Sequence, residues 1–140
     1  MLVPSHVRAQ SDATPVCRES KQCADAESED DIRTCLFKLY KKADDLLNDE
    51  YAGLREDIRA LAARIDSDPE AYLNELKDAQ RQWIAFRDKT CELEAGLAGG
   101  SSAGEFRSEC LCLTTYQRIN DFRRMRRDNG PDPAPRRLGQ

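Results

Sequence analysis

A chain of 140 residues provides one domain and leaves little for a second. Charged residues make up 34% of the chain and the formal charge is only −4, so composition gives no reason to expect a nucleic-acid partner. No apolar run approaches the roughly 18 to 20 residues that a membrane-spanning helix needs, so no such helix is expected. A single histidine, His6, excludes most histidine-dependent catalysis and zinc chemistry. Six cysteines in a small polar chain favour disulfides and an oxidising compartment.

Residues 1–22 show no apolar period and are predicted to form an irregular arm. Met1–Pro4 is too short for the apolar segment of a signal peptide, so the expected periplasmic or secreted location is based on the cysteines. A first helix is predicted to begin at the N-cap Ser28, which is followed by three acidic residues that the helix dipole favours. Apolar residues then recur every three or four positions from Ile32 to Ile65, which predicts a helix of about 50 Å.

Ser67-Asp68-Pro69 ends this helix and begins the next, because Asp68 can cap and Pro69 suits the first helical position. The second predicted helix has an apolar stripe that runs to Cys91 and contains Leu73, Leu76, Ala79, Trp83, Phe86 and Thr90. Gly96–Gly104 has four glycines and predicts a loop. A third helix is expected from about Glu105 to Arg127, with a disordered tail over residues 128–140. The predicted fold is an all-α, antiparallel three-helix bundle with a long first helix, over residues 23–127.

Three motifs in this order resemble a known family. They are Ala43-Asp44-x-x-Leu47-Asn48-x-x-Tyr51, Ala79-Gln80-Arg81-x-Trp83-Ile84-x-Phe86-Arg87-Asp88-x-x-Cys91, and Gly99-Gly100-Ser101 followed by Cys110-x-x-x-x-Thr115-x-x-Arg118. The order is similar to that of the LprI-type lysozyme-inhibitor domain of bacterial envelope proteins. The resemblance spans about residues 23–125 and implies a helical, disulfide-stapled domain of the periplasm or of secreted proteins, with a lysozyme-like hydrolase as partner.

Six cysteines allow 15 pairings. The resemblance implies the pairs Cys91–Cys110 and Cys23–Cys35, which leaves Cys17 and Cys112 for each other. Cys17 and Cys112 are additional to the family pattern, and no lipid-attachment cysteine is evident. Cys110 and Cys112 are two positions apart on a helix, so their side chains leave it in nearly opposite directions, which is consistent with two separate bridges. The competing interpretation, a zinc site, lacks CxxC spacing and a nearby histidine, so no metal or cofactor is expected.

Polar residues of the motifs share helix faces, because they are spaced three, four or seven positions apart. They are Asp44, Asn48 and Tyr51 on the first helix, and Gln80, Trp83 and Arg87 on the second, flanked by Arg81 and Asp88. One interpretation is an interhelical network in which Asp44 or Asp88 pairs with Arg81, Arg87 or Arg118. The other is a surface that meets a partner. We favour the network, because a charge within an apolar stripe needs an internal partner, and we expect Trp83 in the core.

No catalytic motif surrounds the acidic residues, so an enzyme is not expected. The basic run Arg123–Arg127 lacks interleaved aromatic residues and is predicted to be a solvated or lipid-facing helix end instead of a nucleic-acid site.

Gly99, Gly100, Ser101 and Ser102 form the tip of the predicted loop, and we expect this tip to enter the cleft of a lysozyme-like hydrolase. The helices are expected to bury their apolar stripes against each other, which leaves little apolar surface for a partner. The alternative is a flexible connection in a structural or adaptor bundle of the envelope that inhibits nothing.

Overall fold

The protein is an antiparallel bundle of three helices, as predicted. The computed structural model describes Cys17 and residues 23–131, so the predicted arm, apart from Cys17, and the tail from residue 132 lie outside the described residues. The helices are α1 (Glu29–Arg64), α2 (Glu70–Ala98) and α3 (Ala103–Asn129). No strand occurs within the described part of the chain.

Local capping sets the helix starts that the sequence predicts. The Ser28 hydroxyl accepts a hydrogen bond from the backbone N–H of Asp31 at 3.1 Å, and three acidic residues fill the first turn of α1. The Asp68 carboxylate accepts the backbone N–H of Glu70 at 3.0 Å at the start of α2. Asp66, with φ of 51°, makes the left-handed turn between these two helices.

α3 is the central helix of the bundle. α1 and α2 both pack along α3, but they meet each other only sparsely. Cys110, Leu111 and Cys112 are consecutive and all buried, which requires α3 to be covered on more than one side. The main core cluster joins all three helices and contains Leu47, Leu54, Leu76, Ile119 and Phe122.

The six cysteines form three disulfides, Cys17–Cys112, Cys23–Cys35 and Cys91–Cys110. All three lie at the end of the bundle that contains the start of α1, the end of α2 and the start of α3. Two of the disulfides involve α3. Cys110 is bonded to Cys91 of α2, and Cys112 is bonded to Cys17. Cross-links therefore hold one end of the bundle, and side-chain packing and ion pairs between α1 and α3 hold the other.

Candidate functional site

Arg87 lies at the centre of a charged network between the three helices. Its guanidinium pairs with Asp44 of α1 at 3.1 Å and with Asp88 at 2.9 Å, and it donates to the Thr115 hydroxyl of α3 at 3.3 Å. Burial lowers the pKa of Arg87, but the hydrogen bonds and charges around it, led by Asp88, raise that pKa above its ordinary value. The predicted pairing of Asp44 and Asp88 with a neighbouring arginine is therefore present, with Arg87 as the cation.

Trp83 stacks between two guanidinium groups. Arg87 lies 5.1 Å and Arg118 lies 5.6 Å from the centre of its ring. The stack continues from Arg87 to Tyr40 at 5.4 Å and from Arg118 to Phe122 at 4.7 Å. Trp83 is half-buried and packs against the main core cluster, so its ring joins the motif residues of α2 to the core.

Most of the motif residues meet in this network. The structure brings together Asp44, Gln80, Trp83, Arg87, Asp88, Thr115 and Arg118. Tyr51 packs against Phe122 with ring centres 6.0 Å apart. Asn48 and Arg81 are exposed. Phe86, which the apolar stripe placed inward, is 63% exposed and lies outside the network.

The network fixes helix register and has no evident chemistry of its own. Each carboxylate in it faces a guanidinium, and every buried side-chain nitrogen or oxygen among the described residues has a hydrogen-bond partner. No group of three or more metal-ligating side chains occurs within residues 23–131 or at Cys17. The network therefore supports the shape of the molecule, and a partner site has to be sought on the surface.

The connection between α2 and α3 is shorter than the sequence predicts. α2 continues through Gly96 to Ala98 and α3 begins at Ala103, so the predicted loop Gly96–Gly104 is a four-residue turn, Gly99–Ser102. A glycine inside a helix costs about 1 kcal/mol, which the rest of a long helix can offset. Gly99 and Gly100 both have φ of 66°, a left-handed conformation that glycine adopts without strain.

The Cys91–Cys110 disulfide holds this turn, with the two Cα atoms 5.5 Å apart. Ser101 and Ser102 are exposed at its tip. The turn is also flanked by exposed apolar side chains. Leu93 is 62%, Leu97 78% and Phe106 50% exposed, and we call these three residues with Gly99–Ser102 the hairpin tip.

Phe86, Leu93 and Leu97 are spaced seven and four positions apart, so they share one face of α2. That face lies outside the stripe that packs on α3, so the expectation that the helices bury all of their apolar stripes is wrong. The sequence contains the signal, because the spacing of Leu93 and Leu97 continues that of Phe86 past Cys91. It is hidden by Gly96, which suggests a loop where the helix persists.

The surroundings of the hairpin tip are acidic. Residues 92–109 contain four glutamates and one arginine, Arg107, which pairs with Glu92 at 3.1 Å. This part of the surface therefore suits a basic partner.

The basic run Arg123–Arg127 is largely neutralised. Arg123 and Arg126 pair with Glu50 at 2.8 and 2.9 Å, and Arg126 also pairs with Asp57 at 2.8 Å. Burial raises the pKa of Glu50, but the hydrogen bonds from the two arginines outweigh burial and hold that pKa below its ordinary value of 4.5. The run links α3 to α1. Because these arginines are paired with carboxylates, little positive charge remains for binding a nucleic acid.

Comparisons with known proteins give consistent results. The family model of the lysozyme inhibitor LprI matches residues 20–122. The uncharacterized protein R02472 of Rhizobium meliloti (strain 1021) is 34% identical over 107 residues, which cover 74% of this chain and 77% of that protein. The uncharacterized protein YecT of Escherichia coli (strain K12) is 31% identical over 127 residues, which cover 82% of this chain and 78% of that protein. No solved structure matches the chain.

The disulfides bear on the location of the protein. Three disulfides fit an oxidising compartment. Within the described residues, no helix has the length and apolar character needed to cross a membrane. With the fold, the motif network and the family match in agreement, the chain belongs to the LprI lysozyme-inhibitor family.

Proposed function

We propose that the protein is a non-catalytic binding protein of the periplasm or of the secreted fraction that inhibits a lysozyme-like cell-wall hydrolase through its hairpin tip. The observation that carries the proposal is the disulfide-held turn, which presents small residues between exposed apolar side chains. The family match supports the choice of partner, because the family is described as a lysozyme inhibitor.

The shape of the hairpin tip suits the cleft of a glycoside hydrolase. Gly99–Ser102 is narrow, and its hydroxyl and backbone N–H groups are donors for the two carboxylates that such a cleft contains. Because the Cys91–Cys110 bridge holds the turn in place, little conformational freedom is lost on binding. Leu97 and Phe106 then provide apolar anchors beside the cleft, which is where binding energy concentrates in an interface.

Charge supports the approach of the two proteins. The chain has a formal charge of −4, and glutamates surround the hairpin tip. A basic hydrolase would be attracted over a distance of about 10 Å at 0.1 M salt, so association should slow as salt is added.

The experiment is a cell-wall turbidity assay with a lysozyme and a molar excess of the oxidised protein. We expect Leu97→Ser and the double variant Ser101→Glu, Ser102→Glu to weaken inhibition by tenfold or more. The melting temperature should stay close to that of the parent, because exposed substitutions cost under about 0.5 kcal/mol. Asp45→Lys with Asp49→Lys, a charge reversal on the exposed face of α1, tests the alternative surface and is compared at high salt, where attraction between the net charges is screened.

Inhibition that survives the changes in the hairpin tip but is lost with the α1 charge reversal at high salt would place the contact on the acidic face of α1. Tyr72→Ser provides the control, because Tyr72 is 51% exposed at the opposite end of the bundle from the hairpin tip.

A second candidate is a structural or adaptor bundle of the cell envelope that inhibits nothing. It is favoured by Phe86, which extends the exposed apolar face of α2 about 16 Å from Leu97, well away from the turn. Unchanged hydrolase activity in the presence of excess folded, oxidised protein would support this alternative over the inhibitor.

A further inference from the structure

A second surface feature lies towards the end of the bundle that has no disulfide. The sparse contact between α1 and α2 leaves an open groove of about 480 Å³ between them, with α3 as its floor. Its walls are mostly aliphatic or aromatic, and they include Leu54, Ile58, Leu61, Tyr72, Leu76 and Met125. This volume is within the roughly 300 to 1,000 Å³ of known small-molecule sites.

Arg118 lies in the lining of this groove and differs from Arg87 and Arg126, which also lie between helices. Arg87 and Arg126 each pair with two carboxylates. Among the described residues no carboxylate lies within ion-pair distance of Arg118, whose Nε donates instead to the amide oxygen of Gln80 at 3.1 Å. Asp121, one turn further along α3, pairs with Arg124.

Arg118 is half-buried and forms no ion pair among the described residues. Its guanidinium lies against the rings of Phe122 and Trp83, and burial lowers its pKa more than the charge of Asp121 raises it, whereas the pKa values of Arg87 and Arg126 are raised. A guanidinium still carries its full charge there, because it does not deprotonate in proteins. An apolar groove whose lining contains a cation without an ion pair is complementary to a ligand that has an apolar body and one anionic group.

We infer that the groove binds a fatty acid of about the length of laurate, with its carboxylate against the Arg118 guanidinium and its acyl chain along the aliphatic walls. The carboxylate matches the fork of guanidinium donors that Gln80 leaves open. The inference is independent of the hairpin tip, which lies at the other end of the bundle, and it stands whether or not that tip inhibits a hydrolase.

The dimensions of the groove favour an acyl chain over a helix. The α3 residues that line it run from Arg118 to Asn129, which is about 16 Å along the helix axis. One leaflet of the hydrocarbon core of a membrane is about 15 Å thick, so a single acyl chain has this length. A helix of this length, about 10 to 12 Å wide with its side chains, occupies far more than the roughly 480 Å³ of the groove.

Glu75 is the acidic residue of the groove lining, and its side chain is exposed. It can stay in water while the carboxylate of the ligand meets Arg118. The remaining polar lining residue, Asn129, donates to the backbone oxygen of Met125 at 2.9 Å and adds no charge.

Trp83 provides a direct probe, because it is the only tryptophan of the chain and its ring lies 5.6 Å from Arg118. The oxidised full chain is titrated at pH 8 with sodium laurate, kept below the concentration at which laurate aggregates, and Trp83 emission is recorded. We expect a saturable one-to-one change and a rise in melting temperature with laurate concentration. Dodecanol, which has the same chain without the charge, should bind at least tenfold more weakly.

Three variants locate the site. Arg118→Gln should weaken the binding of laurate at least tenfold and leave the binding of dodecanol unchanged. Arg127→Gln, at an exposed position of the same helix outside the groove lining, is its control. Ala79 lines the groove but is exposed, so the Ala79→Phe variant should fold normally. Its phenyl ring should fill part of the groove and weaken the binding of both laurate and dodecanol. This variant also keeps the test valid if Arg118→Gln does not fold.

Equal binding of laurate and dodecanol, or laurate binding that survives Arg118→Gln, would overturn the role of Arg118. Laurate binding that survives Ala79→Phe would place the ligand outside the groove. The absence of any saturable change with laurate would refute the inference as a whole. A concentration-dependent dimer that Ala79→Phe dissolves in sedimentation experiments would show that a second copy of the chain occupies the groove instead.

Discussion

Replacing Arg87 with methionine removes the cation that joins the three helices and keeps much of the aliphatic volume of the side chain. The Arg87 side chain is only 5% exposed, whereas those of its partners Asp44 and Asp88 are 25% and 47% exposed. Breaking a buried ion pair costs about 3 to 5 kcal/mol when the remaining charge stays dry. Since both carboxylates here reach water, we expect the lower end of that range, about 3 kcal/mol.

The measurement is urea denaturation of the oxidised protein, followed by far-ultraviolet circular dichroism. Arg81→Met is the matched control, because Arg81 is exposed on the same helix and should change the free energy of unfolding by less than about 0.5 kcal/mol. Adding Asp44→Leu to Arg87→Met removes the unpaired carboxylate and should recover about 1 kcal/mol.

One hydrogen bond contributes about 1 kcal/mol to stability. If Arg87→Met lowers the free energy of unfolding by less than this, or by no more than Arg81→Met does, the network does not fix the helix register.

Three further predictions concern stability. Trp83→Ala should lower the free energy of unfolding by about 3 kcal/mol, because it removes core packing and two cation–π contacts. Replacing Cys91 and Cys110 with serine should lower it by about 3 kcal/mol on the chain-entropy model, and a non-reducing digest of the parent should contain these two cysteines in one linked fragment. The pKa of Glu50 is held below 4.5 in the folded state, so Glu50 stabilises the protein above its unfolded pKa, and this contribution is lost as pH falls through the lower folded pKa. Glu50→Gln should therefore be less stable than the parent at pH 7, and the difference should shrink as the pH falls below 4.5 in denaturant titrations.

Each of these has an outcome that contradicts it. A cost below about 1 kcal/mol for Trp83→Ala would mean that the ring is a surface residue. A digest that links Cys91 to Cys23 or Cys35 would refute the disulfide topology. A difference between Glu50→Gln and the parent that does not change with pH would show that Glu50 acts through packing and not through its charge.

Helix boundaries controlled by local chemistry could be predicted from the sequence. Ser28 caps α1 as its type suggests, because its hydroxyl satisfies a backbone N–H that the helix leaves open. At α2 the N-cap is Pro69, one residue later than predicted, and Asp68 ahead of it accepts the backbone N–H of Glu70. The Arg87 network was predictable in kind, since a charge in an apolar stripe needs a partner. Which arginine forms the ion pairs could not be predicted. Arg81, Arg87 and Arg118 all lie near the stripe, and the way the helices pack determines which of them meets the carboxylates.

Glycine content was a poor guide to the end of α2. Gly96 has no atom of another element within 4 Å of the place where a Cβ would stand, so it meets no close packing that would require a glycine. The turn depends on Gly99 and Gly100, which adopt the left-handed conformation. From the sequence alone the three glycines look alike, and it is their backbone conformation in the structure that separates Gly96 from Gly99 and Gly100.

The arrangement of the helices explains why both candidate surfaces exist. Three consecutive buried residues, Cys110–Cys112, cannot share one face of a helix, so α3 must be covered from two sides and takes the central place. α1 and α2 each use one face on α3 and then have little left to bury against each other. The apolar residues that remain, from Phe86 to Leu97 on the outer face of α2 and around Tyr72 in the groove, have no cover within the described chain. An apolar periodicity shows that a residue is apolar on a given face and does not show that a neighbour exists to cover it. Where α1 and α2 separate, that difference leaves the groove, and on the outer face of α2 beside the turn it leaves the exposed apolar side chains of the hairpin tip.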